Sequence, residues 1–163
     1  MPNHKSVDLR HEGGMWFAAA PSSGHPIMFD DRTSNKGGSP VETLLSALGA
    51  CTAMDVVSIA AKKRQRIETY EIHVTASQRD EYPQVFTEIV VVHEVTGPGV
   101  SEAALRRAIE LSATKYCPVN AMLSAGATVV HHRYVIHSGG NAAYEASGEV
   151  VATGPYARPD IIA

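Results

Sequence analysis

Cysteine is scarce in this chain: there are two, Cys51 and Cys117, among 163 residues. Two are too few for a disulfide framework or a four-thiolate zinc site, so they are either inert core residues or a redox pair. An excess of charge of one sign is also lacking. A net charge of −3 and a pI near 6.2 give no electrostatic reason to expect nucleic acid or an anionic membrane surface as a partner. No uninterrupted apolar run reaches the roughly 18 residues that a membrane span needs. Met1-Pro2-Asn3-His4-Lys5 leads into no apolar stretch of the kind a secretory signal carries. These absences predict a cytoplasmic protein, with neither membrane nor nucleic-acid partner, in a compartment that keeps thiols reduced. No H-x-x-x-H or C-x-x-C spacing occurs, so the eight histidines do not announce a metal site, and no cofactor is expected. His131 and His132, adjacent on an expected strand, must point to opposite faces.

What is present is ordinary globular composition, 44% apolar and 19% charged, in a chain of single-domain size. Gly13-Gly14 separates two apolar-polar segments, Val7 to Glu12 and Met15 to Ala20, and reads as a hairpin turn. His25 to Phe29 reads as a third strand. A polar loop from Asp30 then reaches Ser39-Pro40-Val41-Glu42. Its capping serine, proline at the first helical position and glutamate at the third make a capping box. Behind it lies a run without proline as far as Arg66, which predicts a helix from Pro40 to Lys63. Apolar and small residues from Leu44 to Ala60 cover nearly every face, which predicts a helix buried all round at the centre of the core. Tyr70, Ile72, Val74 and Ala76 alternate with polar residues, as a half-buried strand does. Val85 to Thr96 predicts a longer strand, with Ile89, Val91 and Val95 on one side. Ser101 caps a helix expected from Glu102 to Lys115. Pro118 opens a short helix that Gly126 closes, and Thr128 to His137 predicts a last strand. From Ser138 onward the chain is rich in glycine, alanine and proline and lacks periodicity. The domain plan is therefore 1–137 with a tail at 138–163, and the fold class is α+β.

The segment GGSPVETLLSALGACTAMDVV, from Gly37 to Val57, together with KYCPV, from Lys115 to Val119, resembles the osmotically inducible protein C and organic hydroperoxide resistance (OsmC/Ohr) family. The G-x-x-P opening, the small-residue approach to Cys51 and the Cys-Pro-Val step come in the family's order. The resemblance covers Val7 to about Ile136 in element order. It implies antiparallel sheets around a long hydrophobic helix, in an intertwined homodimer with sites at the subunit interface. It further implies a thiol-dependent peroxidase of oxidative-stress defence. Cys51 would attack an organic hydroperoxide and become a sulfenic acid, and Cys117 would resolve it to a disulfide. An external dithiol, such as a lipoylated protein, would then reduce the pair. A thiol inside an apolar helix suits such substrates, because walls that desolvate sulfur also hold an alkyl chain.

Peroxidatic relatives also carry an arginine that stabilises the thiolate and a glutamate directly after the helix-opening proline. Here Val41 follows Pro40. Glu42 is one position on, about 100° around the helix, and capping accounts for it. Arg32, in the loop before the helix, is the candidate cation, with Arg10 the runner-up. Asp55, four residues beyond Cys51 on the same helical face, would oppose thiolate formation. Valine at position 41 admits an alternative: a stress-associated protein of the same fold that binds a small hydrophobic ligand without efficient peroxidase turnover.

Overall fold

A computed structural model describes residues 4–140 and 143–153. Its elements are β1 (Val7–Gly13), β2 (Trp16–Pro21), β3 (Ile27–Phe29), α1 (Pro40–Lys62), β4 (Thr69–Gln78), β5 (Phe86–Pro98), α2 (Glu102–Leu111), α3 (Pro118–Ser124), β6 (Val129–Gly139) and β7 (Tyr144–Ala152). A single π-helical turn, Ser112–Tyr116, separates α2 from α3. The α+β class stands. By contacts the chain divides into two compact units, residues 1–44 and 45–163.

The first unit is an antiparallel sheet in the order β1-β2-β3. Its hairpin turns at Gly13 and Gly14, whose φ values of 117° and 59° suit glycine. The unit ends at the start of α1, where the capping box forms as its residues require. Ser39 N–H donates to Glu42 Oε2 at 2.9 Å, and Glu42 N–H donates to Ser39 Oγ at 3.2 Å.

The second unit is a four-stranded sheet, β4-β5-β6-β7, with helices on one face. The β4–β5 and β6–β7 pairs are antiparallel, but β5 and β6 run parallel. That pair corrects the expectation of purely antiparallel sheets. The physical reason is the connection: α2, the π turn and α3 together supply the long crossover that a parallel pair needs.

Burial of α1 on all sides is a second correction. Leu48, Thr52, Val56 and Ala60, spaced by four, form a buried stripe with Gly49. Met54, 73% exposed, and Val57 lie away from it in the single chain. Although no uninterrupted apolar run reaches 18 residues, the best 18-residue window of α1 averages a hydropathy of 1.8, enough by length and composition to cross a membrane.

The unperiodic stretch after Ser138 is the third correction, because β7 is a full strand of the sheet. Its pattern is broken at Gly148, which pairs across the ladder with Tyr134. A Cβ at Gly148 would collide with the phenol of Tyr134, a side chain that is 1% exposed and donates to Glu102 Oε1 at 2.9 Å. The glycine that hides the strand in the sequence is the residue the aromatic ring demands. Tyr144, at the start of β7, accepts from Glu102 N–H at 3.1 Å and donates to Val100 O, which ties the strand to the mouth of α2. The positions from 154 onward lie outside the described residues. We expect Gly148→Ala to cost about 1–3 kcal/mol by overpacking. Urea unfolding would show this as a lower midpoint with an unchanged m-value, and an unchanged midpoint would contradict the contact.

Candidate thiol site

The site forms where α1 passes the crossover segment of its own unit. Gly49 permits the approach: a Cβ there would lie 3.0 Å from Val74 Cγ2 and 3.2 Å from Ile72 Cγ2, both on β4. Further along α1, Cys51, Thr52 and Asp55 meet the segment that joins α2 to α3. Cys51 is half-buried on α1, and Cys117 is buried immediately before α3. Proline at position 118 cannot donate a main-chain hydrogen bond, and Cys117 is extended, with φ −74° and ψ 103°. Its Sγ consequently faces inward, accepting from Asn120 N–H at 3.3 Å and from Thr52 Oγ1 at 3.7 Å.

Cys51 Sγ, Cys117 Sγ and a carboxylate oxygen of Asp55 all lie within 4.8 Å of one another. Both sulfurs are free thiols. A disulfide would require them to close to about 2.05 Å. Asp55 is held in turn by Ser112, whose hydroxyl donates to Oδ2 at 2.9 Å. Burial pushes the Cys51 thiol up to about 12, its hydrogen bond with Cys117 and the charge of Asp55 add to this, and only the Val119 amide acts the other way. Cys51, Asp55 and Cys117 offer three donor atoms that a soft divalent metal would accept, but a thiol held protonated opposes such binding. A cavity of about 430 Å³ opens beside Asp55, with Ile59 and Leu111 as apolar wall and Lys62, Lys63 and Tyr116 around it.

The expected site residues thus fall into two groups. Cys51 and Cys117 meet. Arg32 and Glu42 belong to the first unit, where hydrogen bonds from Ser39 and then the charge of Arg32 lower the Glu42 carboxyl. Arg10 is paired with Glu12 at 2.7 Å on the surface.

The sequence reading missed a buried polar chain behind Cys117. Tyr70 Oη lies 2.6 Å from His93 Nδ1, His93 Nε2 lies 3.2 Å from His132 Nδ1, and His132 Nε2 lies 2.9 Å from Asn120 Oδ1. Both imidazoles are completely buried. Their signal was legible: His93 continues the inward register of Ile89, Val91 and Val95, and His132 stands between Val130 and Tyr134. His131, as its neighbour's opposite, faces outward between Glu88 at 3.4 Å and Glu149 at 3.1 Å.

Comparison with known proteins gives a consistent result. The model of the OsmC-like protein family matches residues 33–132. The protein YhfA of Escherichia coli (strain K12) is 41% identical over 123 residues, spanning 76% of this chain and 92% of that protein. A crystal structure of a hypothetical protein from Aquifex aeolicus VF5 superposes with a TM-score of 0.77 at 30% identity, over 85% of this chain and 99% of that one. The organic hydroperoxide resistance protein OhrB of Bacillus subtilis superposes with a TM-score of 0.58 at 16% identity, over 80% and 97%, and so shares the fold.

The buried imidazoles make folding pH-dependent. Burial first, and a neighbouring histidine second, lower His93 to about 3 and His132 to about 4. Unfolding restores ordinary values near 6.5, so the unfolded chain binds more protons below that pH. Stability is therefore complete above about pH 6.5 and falls as pH drops toward 4, by roughly 1.4 kcal/mol per pH unit for each ring. Urea midpoints at pH 7 and pH 5 test this, and equal midpoints would exclude two neutral buried rings.

Proposed function

The chain belongs to the OsmC-like protein family, and from that membership we propose that it is a thiol-dependent peroxidase that reduces organic hydroperoxides through Cys51 and Cys117. The observation that carries the reading is the meeting of the two sulfurs within 4.8 Å, from positions far apart in the chain. The family's association with organic hydroperoxide resistance supports it.

The chemistry runs in three steps. The Cys51 thiolate attacks the outer oxygen of the hydroperoxide, the O–O bond breaks, and the alkoxide leaves with a proton as the alcohol. The Cys117 sulfur then attacks the Cys51 sulfenic acid, forming the disulfide and releasing water. An external dithiol, such as a lipoylated protein, returns two electrons and two protons. The cavity beside Asp55, with Ile59 and Leu111 in its lining, suits a substrate with an apolar chain. A homodimer in a reducing cytoplasm belongs to this proposal. The exposed Met54 and Val57 of α1 offer an apolar face for a second copy. Arg32 and Glu42 enter this proposal only as the activating residues that the family resemblance implies.

One observation favours the alternative of a ligand-binding protein without efficient turnover. Burial and Asp55 hold Cys51 as a thiol, and only the thiolate is nucleophilic.

Consumption of cumene hydroperoxide by the reduced protein, with dihydrolipoamide as reductant, separates the two readings. We expect turnover that Cys51→Ser abolishes, and Cys117→Ser should stop after a single event. The rate should rise with pH above 7, because the thiolate fraction grows about tenfold per unit below the thiol's pKa. Asp55→Asn, which keeps the acceptor for Ser112 and removes the opposing charge, should raise the neutral-pH rate several-fold. Wild-type turnover no faster than Cys51→Ser would sink the enzyme reading in favour of ligand binding.

A further inference from the structure

The polar chain behind Cys117 has one self-consistent arrangement of protons. Asn120 Nδ2 donates to Ala113 O at 2.8 Å, which fixes Asn120 Oδ1 toward His132 Nε2 at 2.9 Å. An amide oxygen only accepts, so His132 carries its proton on Nε2. Its Nδ1 is then a bare acceptor for His93 Nε2–H, 3.2 Å away. His93 Nδ1 is left to accept from the Tyr70 hydroxyl at 2.6 Å. Every link pairs one donor with one acceptor, and the run ends on the Ala113 carbonyl in the π turn.

Two imidazoles and an amide are costly to bury, and apolar side chains would fill the same space more cheaply. The far end of the chain gives a reason for them. The Asn120 side chain is anchored on both sides, by His132 and by Ala113, and its own main-chain N–H is the donor to Cys117 Sγ. The charged or titratable side chains facing that sulfur from α1 are Cys51 and Asp55. Neither helps it carry negative charge.

We propose that Tyr70, His93, His132 and Asn120 are positioning residues that set the redox equilibrium of the Cys51–Cys117 pair by holding the Asn120 amide on the Cys117 sulfur. The proposal rests on the thiol reading above. During reduction, a thiolate of the external dithiol bonds to the Cys51 sulfur, the S–S bond breaks, and its electron pair leaves on Cys117. The second thiol of the reductant then attacks its own sulfur in the mixed disulfide. Cys51 is released, and two electrons and two protons have passed to the pair. The Asn120 N–H donates to the Cys117 sulfur of the reduced pair, and a disulfide sulfur is the weaker acceptor, so holding this donor in place favours the reduced state.

The test is the equilibrium of the full-length protein with mixtures of lipoamide and dihydrolipoamide at pH 7, read by alkylation of free thiols. Asn120→Ala and His132→Leu should each shift the equilibrium toward the disulfide by about tenfold, about 30 mV for a two-electron couple. His132→Gln retains one donor and one acceptor and should restore most of the shift. Tyr70→Phe removes one hydroxyl at nearly constant volume and should shift the equilibrium in the same direction by less. If His132→Leu does not fold, Asn120→Ala and Tyr70→Phe decide. A wild-type protein that forms the disulfide, with folded variants at an unchanged equilibrium, would overturn this inference alone. A wild type that forms no such disulfide would overturn it together with the thiol reading.

Discussion

The contact between Gly49 and β4 is the constraint on which the thiol site depends. A helix at ordinary distance from a sheet keeps its side chains between the two layers. Without a side chain at position 49, the α1 backbone can lie on Val74 and Ile72 at van der Waals distance. Thr52 and Asp55, three and six residues further on, meet the crossover segment. Thr52 reaches Cys117, and Asp55 reaches Ser112. Thr52 and Asp55 are three residues apart and so lie on one side of the helix. A Cβ at position 49 would press on the methyl groups of Val74 and Ile72, which would have to give by a few tenths of an ångström.

The electrostatics of this arrangement divide between the two sulfurs. Around Cys51, burial, Cys117 and Asp55 all favour the neutral thiol, against the single amide of Val119. Around Cys117, the Asn120 amide and the Thr52 hydroxyl both donate. The sulfur nearer the surface is thus surrounded by groups that resist its charge, while the buried one is supplied with donors. In the proposed cycle, the donors sit on the sulfur that leaves when the disulfide breaks.

Much of this was legible in the sequence, and the failures have physical causes. The capping box located the start of α1 to the residue because its hydrogen bonds are local. The Cys-Pro-Val step placed the second thiol at the mouth of α3 for the same reason. Strand β7 was missed because Gly148 answers to Tyr134, a contact with a different strand that no local pattern records. The parallel pairing of β5 with β6 was missed because alternation specifies a face and not a direction. Burial of α1 was overstated because composition cannot say which face meets its own chain. His93 and His132 were the most readable of the omissions, since each interrupts an apolar inward register. A histidine in such a register must find partners across the sheet, and here each found the other.

Asp55 links the surroundings of the two sulfurs. Its carboxylate opposes the Cys51 thiolate, yet it also receives the Ser112 hydroxyl at the first residue of the π turn. That turn presents the Ala113 carbonyl that holds Asn120, and Cys117 N–H closes it by donating to Ser112 O at 2.9 Å. The group that suppresses one sulfur therefore belongs to the framework that supplies donors to the other. The widened turn is the geometric expression of that link. A regular α-helical turn would give the Ala113 carbonyl a main-chain partner four residues on, and Asn120 would have to share it.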